Sequence, residues 1–289
     1  MKGHNENQHF QPERRRLLVV AIAGLIVGAV VISGLIRSAE SSFFCSLAGS
    51  KARAVAEYTA TPIQLRAILH YATSKIVPQQ SFGEVSVSFN VLEEISPCNF
   101  LVFGLGFDSL MWSSLNPRGT TLFLEEDPKW VQTVLKDAPN LNAHTVRYRT
   151  QLKESDDLLS TYKKEPLCAP SKAYLRGNQQ CKLALESLPE EVYEKEWDMI
   201  MIDAPRGYFP EAPGRMGAIF SAAVMARQRK GSGVTHVFLH DVDRKVEKAF
   251  AAEFLCKKYL KKAVGRLWHF EIPSAMNRTV GDGGVDSFC

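Results

Sequence analysis

Four short, continuously apolar runs constrain the fold of this chain more than any other feature of its sequence. The runs are LVF within residues 99–104, LFL within 120–125, MIMI within 197–203 and VFL within 235–240. Strands that are apolar throughout are typical of a parallel sheet with both faces covered. Two further strands are predicted at residues 144–149 and 266–272. We therefore predict an α/β fold with a mostly parallel sheet and helices on both faces.

Helical signals separate these runs. Thr61 followed by Pro62 predicts an N-cap and a first helical residue, which open a helix through about Val77. Ser81 and Glu84 have the spacing of a capping box at the start of a second helix. Further helices are predicted at residues 108–116, 128–138, 155–164, 214–228 and 243–260. The folded domain is predicted to cover residues 59–289.

Residues 17–36 form a run of 20 residues without a charge. A helix of this length spans roughly 30 Å of hydrocarbon. Three arginines precede the run and only Arg37 directly follows it, and basic residues mark the cytosolic side of a membrane helix. We expect a cytosolic tail (1–16), a single-pass signal anchor (17–36) and a lumenal stem (37–58) before the lumenal domain. Cleavage as a signal peptide is the alternative, and the length of the run disfavours it.

The cysteines agree with that topology, because all six follow the apolar run and would lie where disulfides form. Cys168 and Cys181 bracket a polar stretch and are predicted to pair. Asn277 begins the only glycosylation sequon of the chain. Gly24 and Gly28 form a GxxxG pair, which is compatible with a homodimer but is also frequent in single membrane helices.

The net charge of the chain is small. It is +4 overall, and the first sixteen residues hold four basic and two acidic side chains, so they contribute +2 of it. The remainder is nearly neutral, and no nucleic acid partner is expected.

A glycine-containing turn and an acid predict a site for a nucleoside cofactor. Gly104 and Gly106 follow the first apolar strand and allow a tight turn close to a ligand. Glu125 closes the next strand, 21 residues after Gly104, at the spacing at which an acid binds ribose hydroxyls. Ser109 stands where dinucleotide sites carry a third glycine or alanine, which disfavours NAD.

Acidic side chains follow the other two apolar strands. Asp203 ends WDMIMID, and His240, Asp241 and Asp243 follow VFL. Because the carboxyl ends of parallel strands meet at one edge of a sheet, these side chains are predicted to face one crevice. The three carboxylates could hold a divalent cation, or one could take a proton from a hydroxyl, with His240 as an alternative base. The structural alternatives are a helix N-cap for Asp243 and a sheet-end histidine for His240.

Basic residues gather near the same edge. They are Arg206, Arg215, Arg244 and, further along the chain, Arg266. As a group they suit a substrate with a carboxylate, because a guanidinium pairs with it through two hydrogen bonds. Taken singly, each is also compatible with a solvated surface.

The chain resembles the plant glucuronic acid 4-O-methyltransferases, a family that includes arabinogalactan and glucuronoxylan enzymes. The resemblance is carried by SPCNFLVFGLGFDSLMW (96–112), TLFLEEDPKW (121–130), WDMIMIDAPRGYFPEAPGRMGAIF (197–220) and HVFLHDVDRKVE (236–247). It implies a Rossmann-like fold, S-adenosylmethionine as methyl donor, a single anchor in the Golgi membrane, and methylation of O4 of glucuronic acid on a cell-wall polysaccharide or proteoglycan. Overall similarity and chain length favour arabinogalactan over glucuronoxylan as the acceptor.

The resemblance also implies roles for particular residues. Gly104, Gly106, Asp108 and Ser109 match the cofactor loop, and Glu125, or its neighbour Glu126, matches the ribose acid. The loop departs from the broader pattern D-x-G-x-G-x-G, because position 102 is Val and Asp108 replaces the third glycine. Proton removal from the sugar hydroxyl is assigned to Asp203 and Asp241, with His240 as the alternative. A fold-level likeness to catechol-type enzymes suggests a magnesium ion at these strand ends.

Two other classes of function remain as alternatives at this point. Asp241, Val242 and Asp243 form a DxD, which together with the predicted topology is compatible with a type II Golgi glycosyltransferase, although the pairing of Gly104 with Glu125 then has no explanation. A scaffold of wall biosynthesis that keeps the fold without turnover is the non-enzymatic alternative.

Overall fold

The structure is a computed structural model that describes residues 60–274 and 287–289. The predicted cytosolic tail, membrane anchor, stem and sequon at Asn277 lie outside these residues. Across the described ranges, none of the helices combines the length and apolar character needed to cross a bilayer. From Thr61 to Cys289 the chain forms one compact unit.

A seven-stranded sheet organises this unit. Its strands are β1 (Asn99–Phe103), β2 (Thr120–Glu125), β3 (Asn142–Thr145), β4 (Met199–Ile202), β5 (Val234–Leu239), β6 (Leu260–Val264) and β7 (Leu267–Pro273). Their order is β3-β2-β1-β4-β5-β7-β6, and only the pairs made by β7 are antiparallel. The prediction of a mostly parallel sheet is confirmed. Because the strand order reverses between β1 and β4, a crevice opens beyond their carboxyl ends.

Eight α-helices belong to the described part of the chain. They are α1 (Pro62–Thr73), α2 (Phe82–Ile95), α3 (Ser109–Leu115), α4 (Pro128–Asp137), α5 (Ser155–Thr161), α6 (Glu190–Glu194), α7 (Met216–Gln228) and α8 (Lys245–Phe250). Both predicted N-caps are present: Thr61 forms a capping box with Gln64, and Ser81 forms one with Glu84. The first helix ends at Thr73 rather than near Val77, because the next residue, Ser74, is already extended at φ -75° and ψ 140°.

Helices cover both faces of the sheet, as predicted. Along β1, Leu101 and Phe103 point into the core shared with α7, whereas Phe100 and Val102 point into the core beneath α2 and α3. All four side chains are buried. This alternation explains why the strands are apolar throughout, since each successive side chain meets a helix layer on one face or the other.

The C-terminal third departs from the sequence prediction. The predicted helix 243–260 is instead α8, a π-helical turn (Ala251–Leu255), a 3-10 turn (Lys257–Tyr259) and the start of β6. Cys256 stops the helix in a left-handed conformation at φ 72° and forms a disulfide with Cys289. A disulfide to a residue 33 positions later cannot be recognised from the apolar periodicity around Cys256. The predicted disulfide between Cys168 and Cys181 is confirmed.

Strand β3 is displaced from its predicted position at 144–149. It covers Asn142–Thr145, and the chain leaves the sheet soon after. The guanidinium group of Arg149 donates hydrogen bonds to the carbonyl oxygens of Gln179, Asn178, Cys181 and Ala184. These bonds hold the disulfide-closed segment against Arg149, which lies beyond the end of β3.

Candidate active site

A cavity of about 460 Å³ lies beyond the carboxyl ends of β1, β2, β4 and β5. Most of the residues singled out in the sequence line its wall: Gly104, Gly106, Asp108, Glu125, Glu126, Asp203, Arg206, Arg215, Asp241 and Arg244. Ser109, His240 and Asp243 are not among the lining residues. The fold therefore brings together four strand ends that are far apart in the sequence.

The turn after β1 requires glycine at its first position. Gly104 has a φ of +130°, and a Cβ atom there would lie 3.3 Å from the Cβ atom of Ala204. The amide of Gly106 donates a hydrogen bond of 2.9 Å to Oγ of Ser109, which is buried. Ser109 therefore shapes the turn from behind, and the backbone of the two glycines forms the cavity wall.

Asp108 is the acidic residue of this turn. Its Oδ2 atom accepts a hydrogen bond of 2.8 Å from Nε1 of Trp112. Burial, and next the negative charge of Asp203, raise the pKa of its carboxyl above the ordinary value. The two carboxyl groups thus oppose each other's ionisation across the cavity.

Glu125 and Glu126 form the opposite wall. The carboxylate of Glu125 accepts hydrogen bonds of 3.1 Å from the amides of Leu105 and Asp127. Burial and the adjacent carboxylate of Glu126 raise the pKa of Glu125 to about 7. Oε1 of Glu126 accepts hydrogen bonds from the backbone and side chain of Arg206, whereas its buried Oε2 has no partner among the described residues.

This pair of acids fits the ribose of a nucleoside cofactor. A buried carboxylate oxygen without a donor is costly to leave unpaired, and the ribose diol would supply two hydroxyl donors. The glycine turn across the cavity leaves room for a ligand close to the backbone. The residues present therefore fit the cofactor that the sequence predicts, and Glu125, Glu126, Gly104 and Gly106 would hold it.

Asp203 follows β4 and lies on the cavity wall. Its Oδ1 atom accepts a hydrogen bond of 2.8 Å from Nδ1 of His240, and its Oδ2 atom accepts one of 3.1 Å from Nε2 of Gln80. Burial raises the pKa of Asp203, but the bond from His240 and the charge of Arg215 outweigh this effect, and the pKa is lowered overall. Asp203 is therefore an ionised hydrogen-bond acceptor beside the cavity.

His240 lies behind Asp203. Its side chain is 1% exposed, and its Nε2 atom faces Oε1 of Glu84 at 3.7 Å. Because neither ring nitrogen reaches the cavity, the predicted role as an alternative base in contact with substrate does not fit the structure.

Asp241 is held by three guanidinium groups. Its carboxylate lies 2.8 Å from Nη2 of Arg215, 2.9 Å from Nη2 of Arg244 and 2.6 Å from Nη1 of Arg266. Three guanidinium groups thus pair with the two oxygens of this carboxylate, and the proton-accepting role of Asp241 stays a prediction.

The same three arginines disfavour the binding of a divalent cation at the predicted site. Ligand atoms of Asp203, His240 and Asp241 do lie within 4.8 Å of one another. However, guanidinium groups already pair with both oxygens of Asp241, and a divalent cation there would meet three positive charges. Asp243 is exposed and lies outside this group. The predicted set of Asp203, Asp241 and Asp243 does not fit a metal ion.

The predicted substrate arginines differ in how much of each guanidinium group is left to bind a ligand. Arg215 is buried, and it donates to the carbonyl oxygens of Pro205, His240 and Asp203 as well as to Asp241. Its donors are therefore used within the protein, and the predicted contact with substrate does not fit. The side chains of Arg244 and Arg206 line the cavity with 31% and 47% of their surface exposed.

Two site residues were missed by the sequence analysis. Gln80 and Glu84 come from the start of α2 and reach Asp203 and His240 from behind. The capping box identified Glu84 as a helix cap, but its second contact, with a histidine more than 150 positions later in the chain, depends on packing of α2 against the sheet.

Comparisons with known proteins identify the family of the chain. The family model described as IRX15/IRX15L/GXM matches residues 83–270. Arabinogalactan O-methyltransferase 2 of Arabidopsis thaliana is 65% identical over 279 residues, which cover 96% of this chain and 95% of that protein. Glucuronoxylan 4-O-methyltransferase 2 of the same plant is 53% identical over 208 residues, which cover 72% and 71%.

Solved structures are only distantly similar. The crystal structure of a putative caffeoyl-CoA O-methyltransferase from Staphylococcus aureus matches 78% of this chain and 99% of its own, with 12% identity and a TM-score of 0.40. A similarity this distant supports no conclusion about this chain. The match of the family model and the 65% identity over 96% of the chain do identify its family. The chain belongs to the IRX15/IRX15L/GXM family.

Proposed function

We propose that the protein is an S-adenosylmethionine-dependent O-methyltransferase that methylates O4 of glucuronic acid residues on arabinogalactan. The observation that carries this proposal is the 65% identity to an arabinogalactan O-methyltransferase over 96% of the chain. The glucuronoxylan relative is 53% identical over a shorter part, 72% of the chain. Arabinogalactan is therefore the favoured acceptor, and glucuronoxylan is the second candidate.

The cavity supports the assignment of the cofactor. Glu125 and Glu126 would present carboxylate oxygens to a ribose, and one oxygen of Glu126 has no donor among the described residues. S-adenosylmethionine supplies an electrophilic methyl group when it is bound. The acceptor supplies the hydroxyl nucleophile, and side chains of this protein bind the acceptor and remove the proton.

Asp203 is the proposed general base. A sugar hydroxyl is a poor nucleophile until its proton is removed. The Asp203 carboxylate would accept the hydroxyl proton as the hydroxyl oxygen takes the methyl group from the bound donor, which would leave as the neutral thioether. The lowered pKa of Asp203 keeps this carboxylate ionised before the reaction.

Arg244, with Arg206 on the same wall, is proposed to bind the carboxylate of the acceptor. Asp241 and Glu247 lie 2.9 Å and 3.6 Å from the guanidinium group of Arg244. These contacts orient the group, and its exposed part faces the cavity. A guanidinium held in this way distinguishes a uronic acid from a neutral hexose.

We also propose the location and topology that the sequence indicates. The uncharged run at residues 17–36, with arginines on its N-terminal side, supports a single-pass type II protein of the Golgi membrane whose catalytic domain is lumenal. The acceptor glycan would be reached in the lumen, and a homodimer through the membrane helix stays a prediction.

The test is methyl transfer by the full chain in detergent. Labelled S-adenosylmethionine is supplied with unmethylated arabinogalactan, with glucuronoxylan and with arabinogalactan whose uronic acids have been reduced to hexoses. We expect label on the native arabinogalactan, and none on the reduced polymer or with an Asp203→Asn variant that still binds the cofactor. Label only on xylan would overturn the acceptor. Binding of nucleotide sugars without binding of S-adenosylmethionine would overturn the reaction class in favour of a glycosyltransferase.

A further inference from the structure

The carboxylate of Asp203 is held by side chains that approach it from inside the protein. Nδ1 of His240 donates to Oδ1 at 2.8 Å, and Nε2 of Gln80 donates to Oδ2 at 3.1 Å. One donor on each oxygen fixes the plane of the carboxylate, which would otherwise rotate about its Cβ–Cγ bond. Nη2 of Arg215 also reaches Oδ1, at 3.4 Å, and Asp203 lines the cavity.

The carboxylate of Glu84 lies behind the ring of His240. Oε1 of Glu84 lies 3.7 Å from Nε2, and Nε2 has no hydrogen-bond partner among the described residues. Glu84 is itself immobile, because it accepts hydrogen bonds from the amide and hydroxyl of Ser81 and from the amide of Arg266. A buried, fully anchored carboxylate therefore faces the far side of the imidazole.

The other charged groups around Asp203 do not replace this arrangement. Arg215, before α7, lies 3.4 Å from Oδ1 of Asp203 but is shared with Asp241 and several carbonyl oxygens. Asp108, before α3, acts on Asp203 by repulsion. Among the described side chains that contact Oδ1, the ring of His240 makes the shorter hydrogen bond, at 2.8 Å against 3.4 Å for Arg215.

We propose that His240 is a positioning residue that orients the Asp203 carboxylate for proton removal, and that the charge of Glu84, 3.7 Å behind Nε2, supports this orientation electrostatically. The proposal rests on the proposed function, because it needs an acceptor hydroxyl in the cavity. It gives a role to three polar side chains that lie in a row: Glu84 at the start of α2, His240 after β5 and Asp203 after β4. Orientation of a base within a few tenths of an ångström is the kind of effect that changes turnover rather than substrate affinity.

The test compares two variants of nearly equal shape. His240→Asn keeps a donor at the place of Nδ1, whereas His240→Leu removes it. Glu84→Gln keeps the capping box, which accepts glutamine at that position, and removes the charge that faces Nε2. The control is His236→Leu, which changes a histidine on the same strand but outside the cavity. Each full-length protein is assayed for kcat, for KM of the acceptor and for cofactor affinity by calorimetry.

We expect kcat of His240→Leu to fall by about a hundredfold or more with KM and cofactor affinity nearly unchanged. His240→Asn should recover most of that loss, and Glu84→Gln should lower kcat by about tenfold. His236→Leu should keep the wild-type kcat. Wild-type kcat in His240→Leu, or equal losses in His240→Leu and His240→Asn with normal cofactor binding, would overturn the inference. Should His240→Leu fail to bind the cofactor, Glu84→Gln decides, and wild-type kcat in that variant overturns the role of Glu84. An inactive wild type would instead refute the proposed function.

Discussion

Nη2 of Arg215 lies 2.8 Å from Oδ2 of Asp241 and 3.4 Å from Oδ1 of Asp203. One guanidinium group thus joins the carboxylates that follow β4 and β5, at the edge of the sheet where the cavity opens. The hydrogen bonds of Arg215 all go to groups of the protein itself, so Arg215 and Asp241 form part of the framework of the site.

Removal of Arg215 should destabilise the domain. Arg215→Met leaves the carboxylate of Asp241 buried with one cation fewer, and breaking a buried ion pair costs about 3–5 kcal/mol. Arg266→Gln removes a half-exposed partner of the same carboxylate and should cost about 1 kcal/mol or less. The free energy of unfolding in urea measures both, and equal costs would contradict the framework role of Arg215.

Gly104→Ala should impair cofactor binding. The substitution imposes a positive φ on a residue with a Cβ atom, which costs about 1–2 kcal/mol, and its methyl group would crowd Ala204 at 3.3 Å. Gly177 also has a positive φ, but a Cβ atom there would meet nothing within 4 Å. We expect a loss of stability in both alanine variants and a fall in S-adenosylmethionine affinity of at least about tenfold only in Gly104→Ala. Calorimetric titration would contradict this if both variants bound the cofactor equally well.

Arg244→Gln should weaken the binding of acidic acceptors selectively. Loss of one partner of a desolvated charge pair costs about 2–5 kcal/mol, so KM for the uronic acid acceptor should rise by about thirtyfold or more. Cofactor affinity should stay unchanged. Arg266→Gln is the matched control, because Arg266 pairs with the same Asp241 but does not line the cavity. Equal KM values in the two variants would remove Arg244 from the acceptor site.

Glu125 should make stability depend on pH. Burial and the charge of Glu126 raise its pKa to about 7, whereas the unfolded value is about 4.3. A carboxyl with a raised pKa binds its proton more tightly in the folded state, so its stabilising contribution is complete below the unfolded pKa and is lost as pH rises through about 7. Glu125→Gln should therefore gain stability relative to the wild type by up to about 3 kcal/mol between pH 4 and pH 8. Urea unfolding at several pH values measures this difference, and a constant difference would contradict the prediction.

Much of the site could be predicted because it lies at strand ends. Gly104, Glu125 and Asp203 each follow an apolar run in the sequence, and parallel pairing necessarily brings such ends to one edge. The roles of the residues that follow β5 could not be predicted from their position at a strand end alone. His240 and Asp241 are chemically suited to catalysis, but the structure turns one away from the cavity and surrounds the other with arginines.

The sequence by itself determined the class of the fold, the helix caps of α1 and α2, the disulfide between Cys168 and Cys181, and the four strand ends that form the cavity. These features depend on local pattern: periodicity, turn chemistry and short spacings. Only the tertiary structure decided which of Asp203, His240 and Asp241 reaches the cavity, and only it joined Glu84 to His240 and Cys256 to Cys289. Those relationships depend on the packing of α2 and of the C-terminal residues against the sheet, and contacts between residues far apart in the chain have no signature in its local sequence.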